Sequence, residues 1–193
     1  MHTTQRLARA GFTLVEAMFT TLILAVVAVM VLQFLSSQSD FWEVSMHQSD
    51  LRSAAERAIH EMSRELRLAT RTPAETPPSV SVPGAPGNTS MTLFVPTDVD
   101  GLNGVLDAIG AVEWNQANPI QYQYDAPSRQ LRRVQGAATT IIANDVASVA
   151  FDDQPIDATL LANEIRIRLT LQRTTSRQRA VTANATSVVR LRN

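Results

Sequence analysis

Few residues in this chain have the type and spacing to do chemistry, and the most telling is an acid. Glu16 stands alone as an ionisable group in a nearly unbroken apolar run that begins at Phe12. An acid at the centre of a membrane helix costs roughly 2.5–3.5 kcal/mol, so one that is present usually has a use. Pairing with a cation is the simplest such use, because it offsets the desolvation of both charges. Gly11 and Phe12 lie just before Glu16, where a short basic leader carrying Arg6 and Arg9 meets the apolar run. Elsewhere, Thr97-Asp98-Val99-Asp100-Gly101-Leu102-Asn103-Gly104 offers Asp98 and Asp100 as weak candidates for calcium. The stretch has no glycine at the sixth position and no bidentate glutamate at the twelfth position of an EF-hand loop, and Asp-Gly and Asn-Gly also form plain turns. No metal site is therefore assigned. His47 and His60 lack a nearby His or Cys partner and read as ordinary surface or interface residues. Asp152-Asp153, beside Pro155, reads as a solvated acid pair.

Composition excludes several classes of chemistry. The chain has 193 residues and no cysteine, so thiol catalysis, thiolate metal sites and disulfides are absent. All 17 basic residues are arginine, which leaves no lysine for a Schiff base or a phosphate loop. The net charge of −1 argues against a broad nucleic-acid-binding surface. No catalytic motif stands out, and neither an enzymatic activity nor a cofactor is expected.

The elements that would position these residues follow from periodicity. Residues 12–35 are apolar apart from a few Thr and Gln and Glu16, contain no Gly or Pro, and are long enough as a helix to cross a bilayer. The positive leader places residues 1–11 in the cytoplasm and the remainder outside. Residues 36–71 continue as an amphipathic helix, with Leu51, Ala55, Ala58, Met62, Leu66 and Ala69 on one face and Pro73 closing it. Residues 72–90 are rich in Pro, Gly, Ser and Thr and read as a linker. In residues 91–193 the period changes to two. Strands are expected at 91–95, at 120–124 and 130–134 as a hairpin, and at 139–143 and 146–151 around an Asn144-Asp145 turn. Ile165, Ile167, Leu169 and Leu171 alternate with polar residues in the clearest strand, with 180–191 as its antiparallel partner. The arginines on these strands read as a solvated face, with a subunit-binding face as the alternative.

Gly11-Phe12-Thr13-Leu14-Val15-Glu16 resembles the processing site of type IV prepilins and type II secretion prepseudopilins. The resemblance implies cleavage by a prepilin peptidase between Gly11 and Phe12, N-methylation of Phe12, and pairing of Glu16 with the N-terminal amine of a neighbouring subunit. It also implies an α+β pilin fold, a long N-terminal helix packed on a C-terminal antiparallel β-sheet. The implied partners are other pilins or pseudopilins, the peptidase and the inner-membrane assembly platform. In the sheet region, Ile120-Gln121-Tyr122-Gln123-Tyr124-Asp125, Leu131-Arg132-Arg133 and the terminal Val188–Asn193 are similar to minor pilins of the PilW and GspJ type, by shorter motifs. The absence of proline in residues 1–72 and of a C-terminal disulfide departs from many major pilins and favours a minor subunit. The expected function is a minor pilin or pseudopilin that enters, or primes assembly of, a type IV pilus or secretion pseudopilus. The alternative is a signal-anchored periplasmic binding or sensor module that never assembles. A cleaved secretory signal fits less well, because the apolar run is long and Leu35-Ser36-Ser37-Gln38-Ser39 is a poor cleavage site.

Overall fold

The computed structural model describes residues 13–69, 80–83, 88–98, 101, 104, 112–113 and 117–191. They form one long N-terminal helix and two antiparallel sheets, an α+β architecture. The chain divides into two compact units with the boundary between Val44 and Ser45.

Helix α1 spans Leu14–Leu66 without a glycine or proline to interrupt it. In the first unit every residue from Thr13 to Ser39 is exposed. This stretch is long and apolar enough to cross a membrane. In the second unit the amphipathic face behaves as its spacing requires. Leu51, Ala55, Ala58, Met62, Leu66 and Ala69 are each no more than 2% exposed. The helix ends at Leu66, five residues before the expected 71. Its last turn tightens, with Leu68 and Ala69 donating backbone hydrogen bonds to the carbonyls of Glu65 and Leu66 at 3.0 and 3.1 Å.

The first sheet is a meander of five strands in chain order: β1 (Val80–Ser81), β2 (Ser90–Leu93), β3 (Ile120–Asp125), β4 (Gln130–Gln135) and β5 (Ala138–Ala143). Strand β1 falls inside the segment read as a linker, because its two residues pair with Leu93 and Thr92. Strand β2 stops short of Val95. Its last residue, Leu93, pairs with Ile120. The hairpin β3–β4 forms as the sequence indicated, and its turn ends with Arg129 at φ 53°.

The second sheet has three strands in the order β6 (Val146–Asp152), β7 (Glu164–Thr174) and β8 (Ala180–Arg190). The expected single sheet is therefore two. Asn144-Asp145 is not a hairpin turn but the point where the chain passes between them. Asp145 takes the left-handed conformation at φ 58°, which aspartate tolerates. Hydrogen bonds tie the sheets together there: Val146 N–H donates to Arg129 O at 2.9 Å, and the Tyr124 hydroxyl donates to Val146 O at 3.1 Å. The inward residues of β7, Ile165, Ile167, Leu169 and Leu171, are all but fully buried.

One ionic contact fastens the second half of α1 to the first sheet. Tyr122, fully buried on β3, donates its hydroxyl to Glu65 at 2.5 Å. Arg133 on β4 reaches both oxygens of the same carboxylate at 2.9 and 3.1 Å. Burial, then the hydrogen bond to Glu65, raises the Tyr122 phenol above its ordinary value of 10.0.

Candidate functional site

The structure places Glu16 in the first turn of α1, not at the centre of a membrane helix. Thr13 is the N-cap. Its carbonyl accepts the first helical hydrogen bond, from Ala17 N–H at 3.1 Å, and its hydroxyl accepts the Glu16 N–H at 3.3 Å. Thr13-Leu14-Val15-Glu16 thus forms the forward half of a capping box, with the acid at the third helical position. A carboxylate there also meets the positive end of the helix dipole. Part of the cost first assigned to Glu16 is therefore removed locally. Reasoning from the sequence missed Thr13, although Thr-x-x-Glu before an apolar run was the available signal.

Behind Glu16 the threonine hydroxyls of the apolar stretch are satisfied within the helix. Thr20 donates its hydroxyl to the Glu16 and Ala17 carbonyls, each at 2.9 Å, and Thr21 donates to Met18 O at 2.9 Å. Such bonds let threonine sit in an apolar helix without an unpaired donor. The surface that remains is made of Leu, Val, Ile, Met and Phe side chains, from Leu14 to Leu35, roughly half or more exposed. A contiguous apolar surface of this extent requires lipid or other helices around it. Gly11 and Phe12, the expected cleavage and methylation positions, lie outside the described residues.

The other candidates have structural roles. Asp98 accepts the Gly101 N–H at 2.6 Å, and Gly101 takes φ 73°, which is a turn-forming arrangement. Asp100 lies outside the described residues, and among the described residues no cluster of His, Asp or Glu could hold a metal ion. The His47 ring lies 3.4 Å from the Arg173 guanidinium, and His60 faces an open groove beside β8.

Asp152 and Asp153 correct the sequence reading, since they are buried at 2% and 6% exposure and are not solvated. Arg168 lies 2.7 Å from Asp152 Oδ2, an electrostatic approach without an aligned hydrogen bond. The strand arginines are also more engaged than a solvated face would be. Arg166 pairs with Asp157, and Arg173 pairs with Asp145 at 2.7 Å. Hydrogen bonds from Thr159, and then Arg166, hold the Asp157 carboxyl below its usual range.

No family model, curated protein or solved structure matches the chain. The described residues thus define an α+β chain with one helix able to span a membrane and an acid at the start of that helix.

Proposed function

We propose that the protein is a minor pilin or pseudopilin. A prepilin peptidase removes residues 1–11, Phe12 becomes the N-methylated mature end, and the apolar half of α1 holds the chain in the inner membrane. The second unit lies on the periplasmic side. The subunit then enters, or primes assembly of, a type IV pilus or type II secretion pseudopilus through bundling of the apolar helices. Other pilins or pseudopilins and the assembly platform are the partners. The pilin fold belongs to this proposal, as does the absence of enzymatic activity. The observation that carries it is Glu16 at the start of an exposed apolar stretch, preceded by Gly11-Phe12. Placed there, the acid is within reach of a neighbour's amine when helices bundle, and pairing offsets both desolvation costs.

The capping geometry favours a second reading. If Glu16 serves only the first turn of its own helix, the chain is a signal-anchored periplasmic binding or sensor module. Glu16→Gln separates the two, because glutamine also serves at the third position of a capping box but carries no charge. In the native host, the filament subunit should accumulate normally in the membrane after Glu16→Gln and be lost from sheared filaments or from the assembly complex. Unchanged activity after Glu16→Gln, with the wild-type chain itself absent from sheared filaments and from the assembly complex, would support the anchored module. Gly11→Val should leave an unprocessed precursor only in the first case.

A further inference from the structure

Among the described residues four strands end a sheet, and three of them carry features that discourage a further strand. Strand β1 is two residues long. Strand β5 bulges where Leu131 pairs with Ala143 and Arg132 with Ile141. Strand β6 bulges between Val146 and Ser148 and gives its Phe151 N–H to Asn88 O at 3.0 Å. Strand β8 has none of these. It pairs with β7 in unbroken register from Arg190↔Glu164 to Ala180↔Thr174. From Val181 to Val189 it contains no charged residue and no proline. No strand pairs with its other edge among the described residues.

The hydrogen-bond phase shows which groups that edge presents. Leu191 N–H donates to Asn163 O at 2.8 Å, in continuation of the β7–β8 register. Odd-numbered residues of β8 therefore turn their backbone groups to β7. Thr182, Asn184, Thr186 and Val188 turn their N–H and C=O groups to the free edge. Beside that edge runs a groove of about 580 Å³, with Arg52, Glu56, Ile59 and Ser63 of α1 on one wall and Thr182–Ser187 on the other. Ser63 is 6% exposed, and its hydroxyl has no partner among the described residues.

We propose that β8 pairs with β8 of a second copy, antiparallel about a two-fold axis at Ala185. The edge is complementary to itself in that register. Asn184 faces Thr186 and Thr182 faces Val188, so each outward N–H meets an outward C=O. Like charges do not oppose each other, since Arg190 falls opposite Ala180. The inner-face residues of the incoming strand, Ala183, Ala185 and Ser187, are small enough for a groove of this size. Ser187 of the incoming strand also brings a hydroxyl to a groove whose wall holds the unsatisfied Ser63 hydroxyl. The pairing joins two three-stranded sheets into one and does not depend on the filament reading.

The test uses the full chain in detergent micelles and exploits its lack of cysteine. The expected protein mass is twice the 21.1 kDa of one chain. Ala185→Cys places two cysteines in a facing pair without backbone hydrogen bonds, with Cα atoms about 4.5 Å apart, which is within disulfide range. It should cross-link on mild oxidation, whereas Ser187→Cys, which the register separates from its own copy, should not. In the Ala185→Cys background, Asn184→Pro removes an outward N–H without touching the β7 ladder, and Thr186→Lys adds a charge at the edge. Each should abolish the cross-link while the circular dichroism spectrum and melting of the protomer persist. A monomer with no Ala185→Cys cross-link would overturn the proposal. So would equal cross-linking at Ser187→Cys, or a dimer that survives both edge variants and is therefore held by another surface, the apolar helix or a different strand.

Discussion

Glu65 joins helix to sheet through one carboxylate, and the consequences of losing it can be stated. Glu65→Ala leaves the Tyr122 hydroxyl and the half-shielded Arg133 guanidinium without their shared partner. The expected loss of stability is about 2–3 kcal/mol, readable as a lower denaturation midpoint of the second unit. Tyr122 adds a pH dependence. Its phenol is raised above the unfolded value, so the folded state holds the proton more tightly. The stabilisation is complete below the unfolded pKa of 10.0 and declines as pH rises beyond it. Thermal melts across pH 9–12 should therefore show an alkaline loss of stability that is smaller in Tyr122→Phe, and equal slopes in the two proteins would contradict this. These contacts were not legible in the sequence. Tyr122 and Arg133 oppose each other across the hairpin that the sequence indicated, but Glu65 lies 57 residues before Tyr122, and no local period marks it as their neighbour. Glu16 was legible as an anomaly because the residues around it are apolar. Its cap, Thr13, was spelled out in the sequence but lies in the same short stretch that suggested processing.

At the scale of elements, the period of the sequence carried most of the information. The stripe from Leu51 to Ala69 and the alternation of Ile165 to Leu171 each commit a whole face to the core, and both faces are buried. Met62→Ala should cost about 2–4 kcal/mol, because Met62 is fully buried between helix and sheet and its removal leaves a cavity. Denaturant unfolding of the second unit would measure it, and a change under 1 kcal/mol would mean that the stripe is loosely packed. Sheet membership was not legible. Alternation says which face of a strand is buried, but it does not say which neighbour the strand takes. Asn144-Asp145 has the composition of a hairpin turn, yet Asp145 O accepts the Gln172 N–H at 2.8 Å, on β7 of the second sheet. The two-residue β1 was hidden for a different reason. A strand that short has no period of its own and depends on β2 for its hydrogen bonds.

The whole molecule divides into a unit whose apolar helix needs lipid or other helices and a unit with its own buried core. The full chain should therefore stay with membranes after alkaline carbonate extraction, whereas residues 45–193 expressed alone should be soluble and should melt cooperatively. Recovery of the full chain in the carbonate supernatant would contradict the membrane assignment. The functional proposal depends on residues just before that helix, and it is tested most directly at the mature end of the protein. Intact mass and N-terminal analysis of the chain, purified from its native membrane or co-expressed with a prepilin peptidase, should give a mature protein that begins at Phe12 and carries one added methyl group. A chain that retains Met1, or one cut beyond Leu35 at a signal-peptidase site, would contradict it.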